Sequence, residues 1–212
     1  MARRAWGEAV QNREEQFELK RQAVLRTAAV MIRKRGFERL SLGDIADELQ
    51  VSKPTVYYYF RNKEEILREI LQLAVDQFLD ATDHPEDFPD LPQLSGAARL
   101  ERFLRRCVRI LGEEIGSCLL STPREVLDED TRRQFEEKGH PIDELVEGII
   151  RDGARDGSLK PCDVPATYLM IVGSLRFIPT LHFDQQYSTA LLADSLVNLL
   201  MIGLRTPTGN KS

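Results

Sequence analysis

The stretch from Ser41 to Lys63 limits the possible folds of this chain more than any other part of the sequence. Ser41, followed three residues later by Asp44, has the form of a capping box that starts a helix. Ser52 can cap a second helix, because Pro54 then lies in the first turn, where its missing N–H costs little. The apolar positions of the first helix recur at helical spacing, at Leu42, Ile45, Ala46 and Leu49. The stretch therefore predicts two short helices joined by a tight turn.

The second predicted helix has an apolar anchor and a polar outer surface. Val56 and Phe60 lie one helical turn apart and supply the anchor. The residues around them bear hydroxyls or positive charges and include no carboxylate: Lys53, Thr55, Tyr57, Tyr58, Tyr59, Arg61 and Lys63. Such a surface suits a DNA major groove and the phosphates beside it. The alternative is an ordinary helical hairpin, in which the tyrosines are partly buried and the cations are solvated.

The run I-A-D-E-L-x-V-S-K-P-T-V-Y-Y-Y-F-x-N-K-E-E-I-L, preceded by R-G-F-E-R-L-S-L, resembles the DNA-binding domain of the TetR family of transcriptional regulators. The resemblance covers residues 17–75. It implies a dimeric regulator, typically a repressor, in which a fourth helix links the DNA-binding head to the body. Gln50 stands at a turn position that family members usually fill with glycine. A glutamine there must accept a positive φ or a different turn, at a cost of about 1 kcal/mol.

The residues expected to contact DNA fall into two groups. Side chains for the floor or wall of the groove are Lys53, Thr55, Tyr57 and Tyr58, with Pro54 in apolar contact with a thymine methyl. The side chains expected to bind phosphates are Ser41, Tyr59 and Lys63. For Lys63 this role is also implied by the resemblance to the family.

Charge is distributed unevenly along the chain. Residues 1–63 contain 13 Lys and Arg and 8 Asp and Glu, a net charge of +5, whereas the other 149 residues contain 16 and 26, a net charge of −10. A basic end on an acidic protein is expected of a DNA-binding head joined to a body that does not bind DNA. The alternative is a chance segregation of surface charge.

Helical periodicity continues through the chain, and no strand alternation is visible, so an all-α fold of about nine helices is predicted. A first helix is expected over Phe17–Arg35, preceded by an arginine-rich segment that is either a disordered arm or an extension of that helix. A fourth helix, capped by Asn62, should end near Thr82. The proline-rich acidic segment that follows predicts a domain boundary. The domains are then a helix-turn-helix head over residues 1–82, with its motif at about 41–60, and a larger ligand-binding and dimerisation domain over residues 83–212.

The body is predicted as further helices with local start and stop signals. The expected features are a helix over Ser95–Gly116, a helix started by a capping box at Thr122–Glu125, a break or kink at His140–Pro141, an apolar helix from Asp163 that Pro179 bends, and a last helix over Ser188–Leu204. The last two helices are too apolar for a small body to bury alone. We therefore expect a homodimer through them, which resembles the TetR-family dimer and would let two heads read a pseudo-palindrome. The alternative is that these helices fill the core of a single chain.

Several function classes are disfavoured by what the sequence lacks. No G-x-S-x-G, P-loop, G-x-G-x-x-G or H-E-x-x-H motif is present, so an enzyme is not expected. The cysteines Cys107, Cys118 and Cys162 and the histidines His84, His140 and His182 have no metal-ligand spacing, which predicts reduced thiols, no metal and no cofactor. No apolar run is long enough to span a bilayer, and no secretory signal is visible. We expect a cytoplasmic protein without a membrane partner.

The body can supply an apolar pocket with a few polar groups, which is the usual composition of a small-molecule site. The candidate ligand-binding residues are Phe103, Cys107, Cys118, Leu145, Ile149, Tyr168, Arg176, Phe177 and His182. Arg176 could bind an anionic group of a ligand, form an ion pair across a dimer interface, or point to solvent. The prediction is a ligand-responsive repressor that a small apolar or amphipathic effector releases from its operator. The alternative is a DNA-binding or interaction protein of the same fold that senses no ligand.

Overall fold

A computed structural model of the chain describes residues 2–83, 93–176, 178 and 189–207. Within these residues the fold is all-α, as predicted, with nine α-helices and no strand. In chain order they are α1 (Ala2–Arg35), α2 (Leu42–Glu48), α3 (Lys53–Tyr59), α4 (Lys63–Asp83), α5 (Gly96–Gly112), α6 (Glu114–Ser121), α7 (Glu129–Arg155), α8 (Val164–Leu175) and α9 (Thr189–Leu204). A short 3-10 helix, Arg124–Val126, precedes α7.

The chain divides into two compact units, Met1–Ile70 and Leu71–Ser212. We call them the head and the body. The division lies within α4, whereas the predicted domain boundary after residue 82 lies at the C-terminal end of that helix. Most of the proline-rich segment that motivated the boundary lies outside the described residues.

Helix α1 begins earlier than the Phe17 start that its apolar stripe predicted, because the arginine-rich segment before it is helical from Ala2. The predicted stripe is buried in the head: Val24, Leu25, Ala28, Met31 and Ile32. The helix ends where expected. Gly36 adopts a φ of +80° and donates its N–H to the carbonyl of Ile32 at 2.8 Å, which closes the last turn.

The turn between α2 and α3 has a positive φ, which is one of the two outcomes that the sequence left open for Gln50. Gln50 has a φ of 55°, and among the described residues it is the only one other than glycine with a positive φ. The N–H of Gln50 reaches the carbonyl of Asp47 at 3.1 Å, and the N–H of Val51 reaches the carbonyl of Ala46 at 2.9 Å. These two bonds satisfy the end of α2, so the turn accepts a glutamine in a conformation that favours glycine.

The body is organised around α5, which packs against α6, α7 and α9, while α7 also packs against α8. The buried residues of α5 form the centre of its core: Leu100, Leu104, Cys107, Val108 and Leu111. Val146, Ile149 and Ile150 of α7 and Val197 and Met201 of α9 complete it from two sides.

Three local predictions for the body are wrong. The helix expected over Ser95–Gly116 ends at Gly112, and α6 starts after Glu113. A Cβ on Gly116 would lie 2.1 Å from the carbonyl oxygen of Ile110, so α6 packs against the end of α5 more closely than one continuous helix allows. The periodicity of the sequence runs through this break because both helices bury their apolar residues in the same core.

The other two errors concern α7. The predicted capping box at Thr122–Glu125 forms only the 3-10 helix, and α7 begins after Asp128, whose carboxylate accepts the N–H of Thr131 at 2.7 Å. Of the break or kink predicted at His140–Pro141, the break is wrong, because α7 continues through Pro141 to Arg155, and the kink stays a prediction. Buried residues on both sides of this proline, Thr131 before it and Val146 after it, hold the helix together.

The two final helices were predicted with different success. Helix α8 ends at Leu175, so it is shorter than the apolar run that predicted it, and the expected bend at Pro179 lies outside the described residues. Helix α9 begins at Thr189 and ends at Leu204, within a residue of the prediction. None of the described helices is both long enough and apolar enough to cross a membrane.

The N-terminus of α5 is held against the C-terminal part of α7. Asp156 Oδ2 accepts the N–H of Gly96 at 2.7 Å, and Ser158 Oγ accepts the N–H of Ala97 at 2.9 Å. The hydrogen bond from the Ser158 hydroxyl side chain is the main reason why the pKa of Asp156 lies below its usual value. A Cβ built on Gly96 would lie 2.2 Å from the Cα of Gly153, so the two backbones meet with no side chain between them.

Replacing Gly96 with alanine should therefore force α5 and α7 apart. We expect Gly96→Ala to lower the free energy of unfolding by about 2 kcal/mol or more, because the added methyl overpacks the contact with Gly153. Gly148→Ala, in the interior of α7 with open space around it, is the control and should raise stability by about 0.5–1 kcal/mol. Urea unfolding measures both, and equal stability of the two variants would contradict the close contact.

The turn at Gln50 gives a second prediction. Gln50→Gly should raise the free energy of unfolding by up to about 1 kcal/mol, because glycine adopts a positive φ without steric cost. Gln50→Val should lower it, since a β-branched side chain tolerates this region least. Thermal unfolding of the three proteins tests the order, and a Val variant as stable as the Gly variant would show that the turn does not keep its positive φ.

Candidate DNA-binding surface and effector cavity

The capping box at the start of α2 forms as predicted. Ser41 Oγ accepts the N–H of Asp44 at 3.1 Å, and the Asp44 carboxylate accepts the N–H of Ser41 at 3.0 Å. The Ser41 hydroxyl also donates to that carboxylate at 2.6 Å, and this bond is the main cause of a pKa for Asp44 below its usual value. Ser41 is thus exposed but fixed in place at the N-terminus of α2.

Helix α3 is anchored by its two apolar residues. Val56 is fully buried, Phe60 is nearly so, and Pro54 lies in the first turn as predicted. The expected side-chain cap by Ser52 is wrong, because its hydroxyl bonds to the Thr55 hydroxyl at 2.8 Å instead of to a backbone N–H. With the anchor directed inward, the predicted groove residues are all exposed: Lys53, Pro54, Thr55, Tyr57 and Tyr58.

An aromatic cluster positions the end of α3. The ring of Phe17 in α1 lies 5.8 Å from that of Tyr58 and 4.9 Å from that of Tyr59, and the two tyrosine rings are 5.1 Å apart. Tyr58 is 70% exposed in spite of these contacts, whereas Tyr59 is half-buried. The sequence analysis did not connect Phe17 with α3, because nothing in the local pattern shows which turn of α1 meets that helix.

The two lysines expected to bind DNA lie in different surroundings. Lys53 extends across the first turn of α2, where a Cβ on Gly43 would lie 3.1 Å from its Cε atom. Its charge also contributes to the lowered pKa of Asp44. Lys63 Nζ donates to the carbonyls of Phe37 and Glu38, at 3.3 and 3.2 Å, and lies 4.6 Å from the centroid of the Phe37 ring. Lys63 therefore stabilises the loop between α1 and α2.

An ion pair joins α1 to α4 within the head. Arg21 donates two hydrogen bonds to the carboxylate of Glu69, and its guanidinium lies 4.9 Å from the centroid of the Phe60 ring. Partial burial raises the pKa of Glu69 in spite of the neighbouring arginine. This contact fixes the end of α3 from the side opposite to its exposed face, since Phe60 is the C-cap of that helix.

The body contains a cavity of about 300 Å³. Its wall is mainly apolar and comes from α4, α5, α6, α7 and α8, including Val75, Phe78, Phe103, Leu111, Leu119, Phe135 and Ile171. Glu136 and Arg176, which also line it, are exposed, so the cavity reaches solvent at these two residues. Its size lies at the lower end of the range for small-molecule sites, about 300–1,000 Å³.

The cavity wall contains a small set of polar groups. The Tyr168 hydroxyl donates to the carboxylate of Asp143, and both residues are partly buried. Thr122 is buried, and its Oγ1 has no hydrogen-bond partner. Cys107 is also part of the wall, and burial raises the pKa of its thiol, which keeps it protonated. The cavity thus combines apolar surface with a tyrosine–carboxylate pair in its wall and with charges at its opening.

The cavity brings together some of the predicted ligand-binding residues. Phe103, Cys107, Tyr168 and Arg176 line it, whereas Leu145, Ile149 and Cys118 do not. Ile149 and Cys118 are buried, and Leu145 is exposed. Phe177 and His182 lie outside the described residues. Thr122 and Asp143 were missed, because their positions in the sequence resemble a helix cap and an ordinary surface acid. The three cysteines are free, and the described residues contain no cluster with metal-ligand composition.

Helices α8 and α9 carry large apolar side chains that the single chain leaves exposed. These are Leu169 and Met170 of α8 and Leu191, Leu199 and Ile202 of α9, which are 56–74% exposed. Scattered apolar residues on a surface need no explanation, but five on two consecutive helices indicate a surface that another protein surface can cover.

Comparisons with known proteins agree with this architecture. The sequence pattern described as "Bacterial regulatory proteins, tetR family" matches residues 24–70, and the pattern "Tetracyclin repressor-like, C-terminal domain" matches residues 93–201. The chain is 24% identical to the fatty acid metabolism regulator protein of Bacillus subtilis over 186 aligned residues. The alignment covers 85% of this chain and 93% of that protein.

Solved structures show the same fold. The ketosteroid transcriptional regulator KstR2 of Mycobacterium tuberculosis superposes with a TM-score of 0.73 at 17% identity, over 88% of this chain and 95% of that one. AibR, in a complex with isovaleryl coenzyme A and operator DNA, superposes with a TM-score of 0.69 at 22% identity, over 85% and 97%. The matched patterns are those of DNA-binding regulators and not of enzymes. Because the two patterns follow each other along the chain and the second alone spans half of it, the chain belongs to the TetR family of bacterial transcriptional regulators.

Proposed function

We propose that this protein is a cytoplasmic transcriptional repressor that leaves its operator when a small apolar or amphipathic effector enters the cavity of the body. The observation that carries the DNA-binding part is the orientation of α3. Val56 and Phe60 are buried, whereas Lys53, Thr55, Tyr57 and Tyr58 are exposed. A helix that exposes hydroxyls and a lysine in this way can enter a major groove.

The roles of individual residues on DNA follow from where they lie. Lys53, Thr55, Tyr57 and Tyr58 contact the base edges or the wall of the groove, and Pro54 contacts a thymine methyl. Ser41 and Tyr59 bind phosphates. Lys63 can bind a phosphate only by giving up or sharing its bonds to the carbonyls of Phe37 and Glu38, so we assign it the weakest DNA contact of the set.

The exposed apolar residues of α8 and α9 support a homodimer through these two helices. A single short recognition helix such as α3 makes too few contacts with DNA for useful sequence specificity. The two heads of a dimer can instead bind the two half-sites of a pseudo-palindrome. Association of two such surfaces would bury the side chains that the single chain leaves in water, and burial of apolar area is favourable at about 25 cal/mol per Å².

For the effector we propose an acyl thioester. The apolar wall of the cavity suits an acyl chain, and Arg176 at the opening can meet a phosphate of the carrier group. AibR, whose fold this chain shares, was solved with isovaleryl coenzyme A, and the relative in Bacillus subtilis is named for fatty acid metabolism. By linkage, an effector that prefers the conformation with lower DNA affinity is itself bound less tightly by the DNA-bound protein, by the same factor.

The DNA-binding proposal is tested by the salt dependence of binding. Lys53→Ala should weaken binding to an operator selected from random DNA, and it should reduce the slope of log K against log salt by about 1, because one positive charge beside the phosphates of the groove is lost. Arg132→Ala, which removes an exposed cation from α7, is the control and should leave both quantities unchanged. A salt slope for Lys53→Ala equal to that of the unaltered protein would contradict the assignment.

The effector and dimer proposals can be tested together by native mass spectrometry and DNA binding. We expect the mass of a dimer, an adduct when octanoyl-CoA is added, and a fall in operator affinity of about tenfold. Free coenzyme A, which lacks the acyl chain, is the matched control and should release no DNA. Operator binding that no acyl-CoA alters would favour a regulator of this fold without acyl sensing, and a monomer mass would contradict the dimer.

A further inference from the structure

Helix α1 contacts the C-terminal end of α3 through two residues, Phe17 and Arg21. They are four positions apart, so they lie one above the other on the same face of α1. The Phe17 ring lies 4.9 Å from the ring of Tyr59 and 5.8 Å from that of Tyr58. One turn further along, the Arg21 guanidinium lies 4.9 Å from the ring of Phe60. Two consecutive turns of α1 thus contact three consecutive aromatic residues at the end of α3.

The rings of Phe17, Tyr58 and Tyr59 form a closed aromatic cluster, because each ring contacts the other two. The planes of the two tyrosine rings are at 84° to each other, and those of Phe17 and Tyr58 are at 78°. Edge-to-face contacts of this kind are a favoured geometry of aromatic pairs. A rotation of the Tyr58 ring would disturb both of its contacts. The cluster therefore restricts the orientation of Tyr58, although 70% of this side chain is exposed.

Phe17 has no group that can hydrogen-bond to a base, because its ring carries neither a donor nor an acceptor. The hydroxyls of Tyr58 and Tyr59, by contrast, bond to no other residue in the described part of the chain, so both are available to DNA. Phe17 also precedes residues 24–70, the stretch that matches the family pattern. Its contact with α3 is therefore a property of this chain that the matched pattern does not include.

We propose that Phe17 is a positioning residue for DNA recognition, which orients the Tyr58 hydroxyl toward a base edge in the major groove. This inference rests on the proposed contact of α3 with DNA and adds a residue outside that helix. A side chain that becomes immobile only on binding loses rotamer freedom at that moment, and this loss lowers affinity. Because Phe17 already restricts Tyr58 in the free head, the loss on binding is smaller.

The effect of this orientation should appear in sequence discrimination. Contacts with base edges distinguish the operator from other sequences, whereas binding to unrelated DNA depends on contacts with phosphates. An oriented Tyr58 therefore stabilises the operator complex and not the complex with unrelated DNA. Tyr59, which is assigned to a phosphate, affects both complexes alike. The quantity that reports the role of Phe17 is thus the ratio of the two affinities.

The decisive experiment measures this ratio with an operator selected from random DNA and with a scrambled duplex of the same composition. Phe17→Ala should lower the ratio about two- to tenfold, which corresponds to the ordering of one side chain. Phe17→Leu keeps an apolar side chain without a ring and should lower it too, whereas Phe17→Tyr keeps the ring and should preserve it. Leu19→Ala removes an apolar side chain that is 62% exposed from the same helix, and as the control it should leave the ratio unchanged. No charge is altered, so the salt slope should stay constant in all four variants.

A double variant shows whether Phe17 acts through Tyr58. Tyr58→Ala alone should lower the ratio at least as much as Phe17→Ala does. When Tyr58 is already alanine, Phe17→Ala should lower the ratio by less than about twofold more, because no ring is left to orient. An additional loss as large as that in the unaltered background would show that Phe17 affects DNA independently of Tyr58, and the positioning role would be wrong.

Thermal unfolding separates positioning from a general effect on stability. Loss of the ring contacts should lower the unfolding midpoint of Phe17→Ala, so the affinities are measured at a temperature at which every variant is folded. A purely structural role would weaken binding to the operator and to the scrambled duplex by the same factor, and this result would contradict the inference. If Phe17→Ala does not fold, Phe17→Leu gives the same comparison.

The outcomes also separate this inference from the proposed function. If selection from random DNA enriches no sequence, the proposed recognition of an operator by α3 is wrong. If an operator is found and every Phe17 variant keeps the full preference for it, the role of Phe17 is wrong and the proposed function stands. If Tyr58→Ala keeps that preference, Tyr58 contacts no base, and the inference fails together with that contact.

Discussion

Helix α3 has seven residues, which is too short for a helix to be stable in water without tertiary contacts. Its conformation therefore depends on the burial of Val56 and Phe60 in the head, and on the packing of Arg21 against the ring of Phe60. This dependence determines what the helix can present to the outside. With both apolar residues directed inward, Lys53, Thr55, Tyr57 and Tyr58 lie toward solvent. The buried face of α3 thus stabilises the helix, and its exposed face is available to contact DNA.

The body combines a well-packed core with a cavity that has room for a ligand. Helix α5 contributes to both, because Leu100 and Leu104 are buried in the core while Phe103 and Cys107 reach the cavity wall. The wall also holds the hydrogen-bonded pair of Tyr168 and Asp143, so polar groups lie beside the apolar surface of the cavity.

The sequence predicted those features that depend on neighbouring residues. The capping box at Ser41 and the end of α1 at Gly36 were predicted, because caps use residues close together in the chain. For Gln50 the sequence left a positive φ and a different turn open, and the structure has the positive φ. The break between α5 and α6 and the course of α7 through Pro141 were not found, because tertiary packing decides them. The cavity was predicted in part. Phe103 and Tyr168 stand out by their chemistry, but Thr122 and Asp143 lie in the cavity wall only because the fold brings them there.

The position of Lys53 across the first turn of α2 affects the kinetics of DNA binding. Its charge lies close enough to Asp44 to contribute to that residue's lowered pKa, so part of its field is already neutralised within the head. When Lys53 turns to the DNA, it exchanges a carboxylate neighbour for the groove and the negative charge along its wall. It adds little to the long-range attraction that brings protein and DNA together, because that attraction depends on net charge at a distance. Its contribution is made after contact, so Lys53 governs the lifetime of the complex more than the rate at which the complex forms.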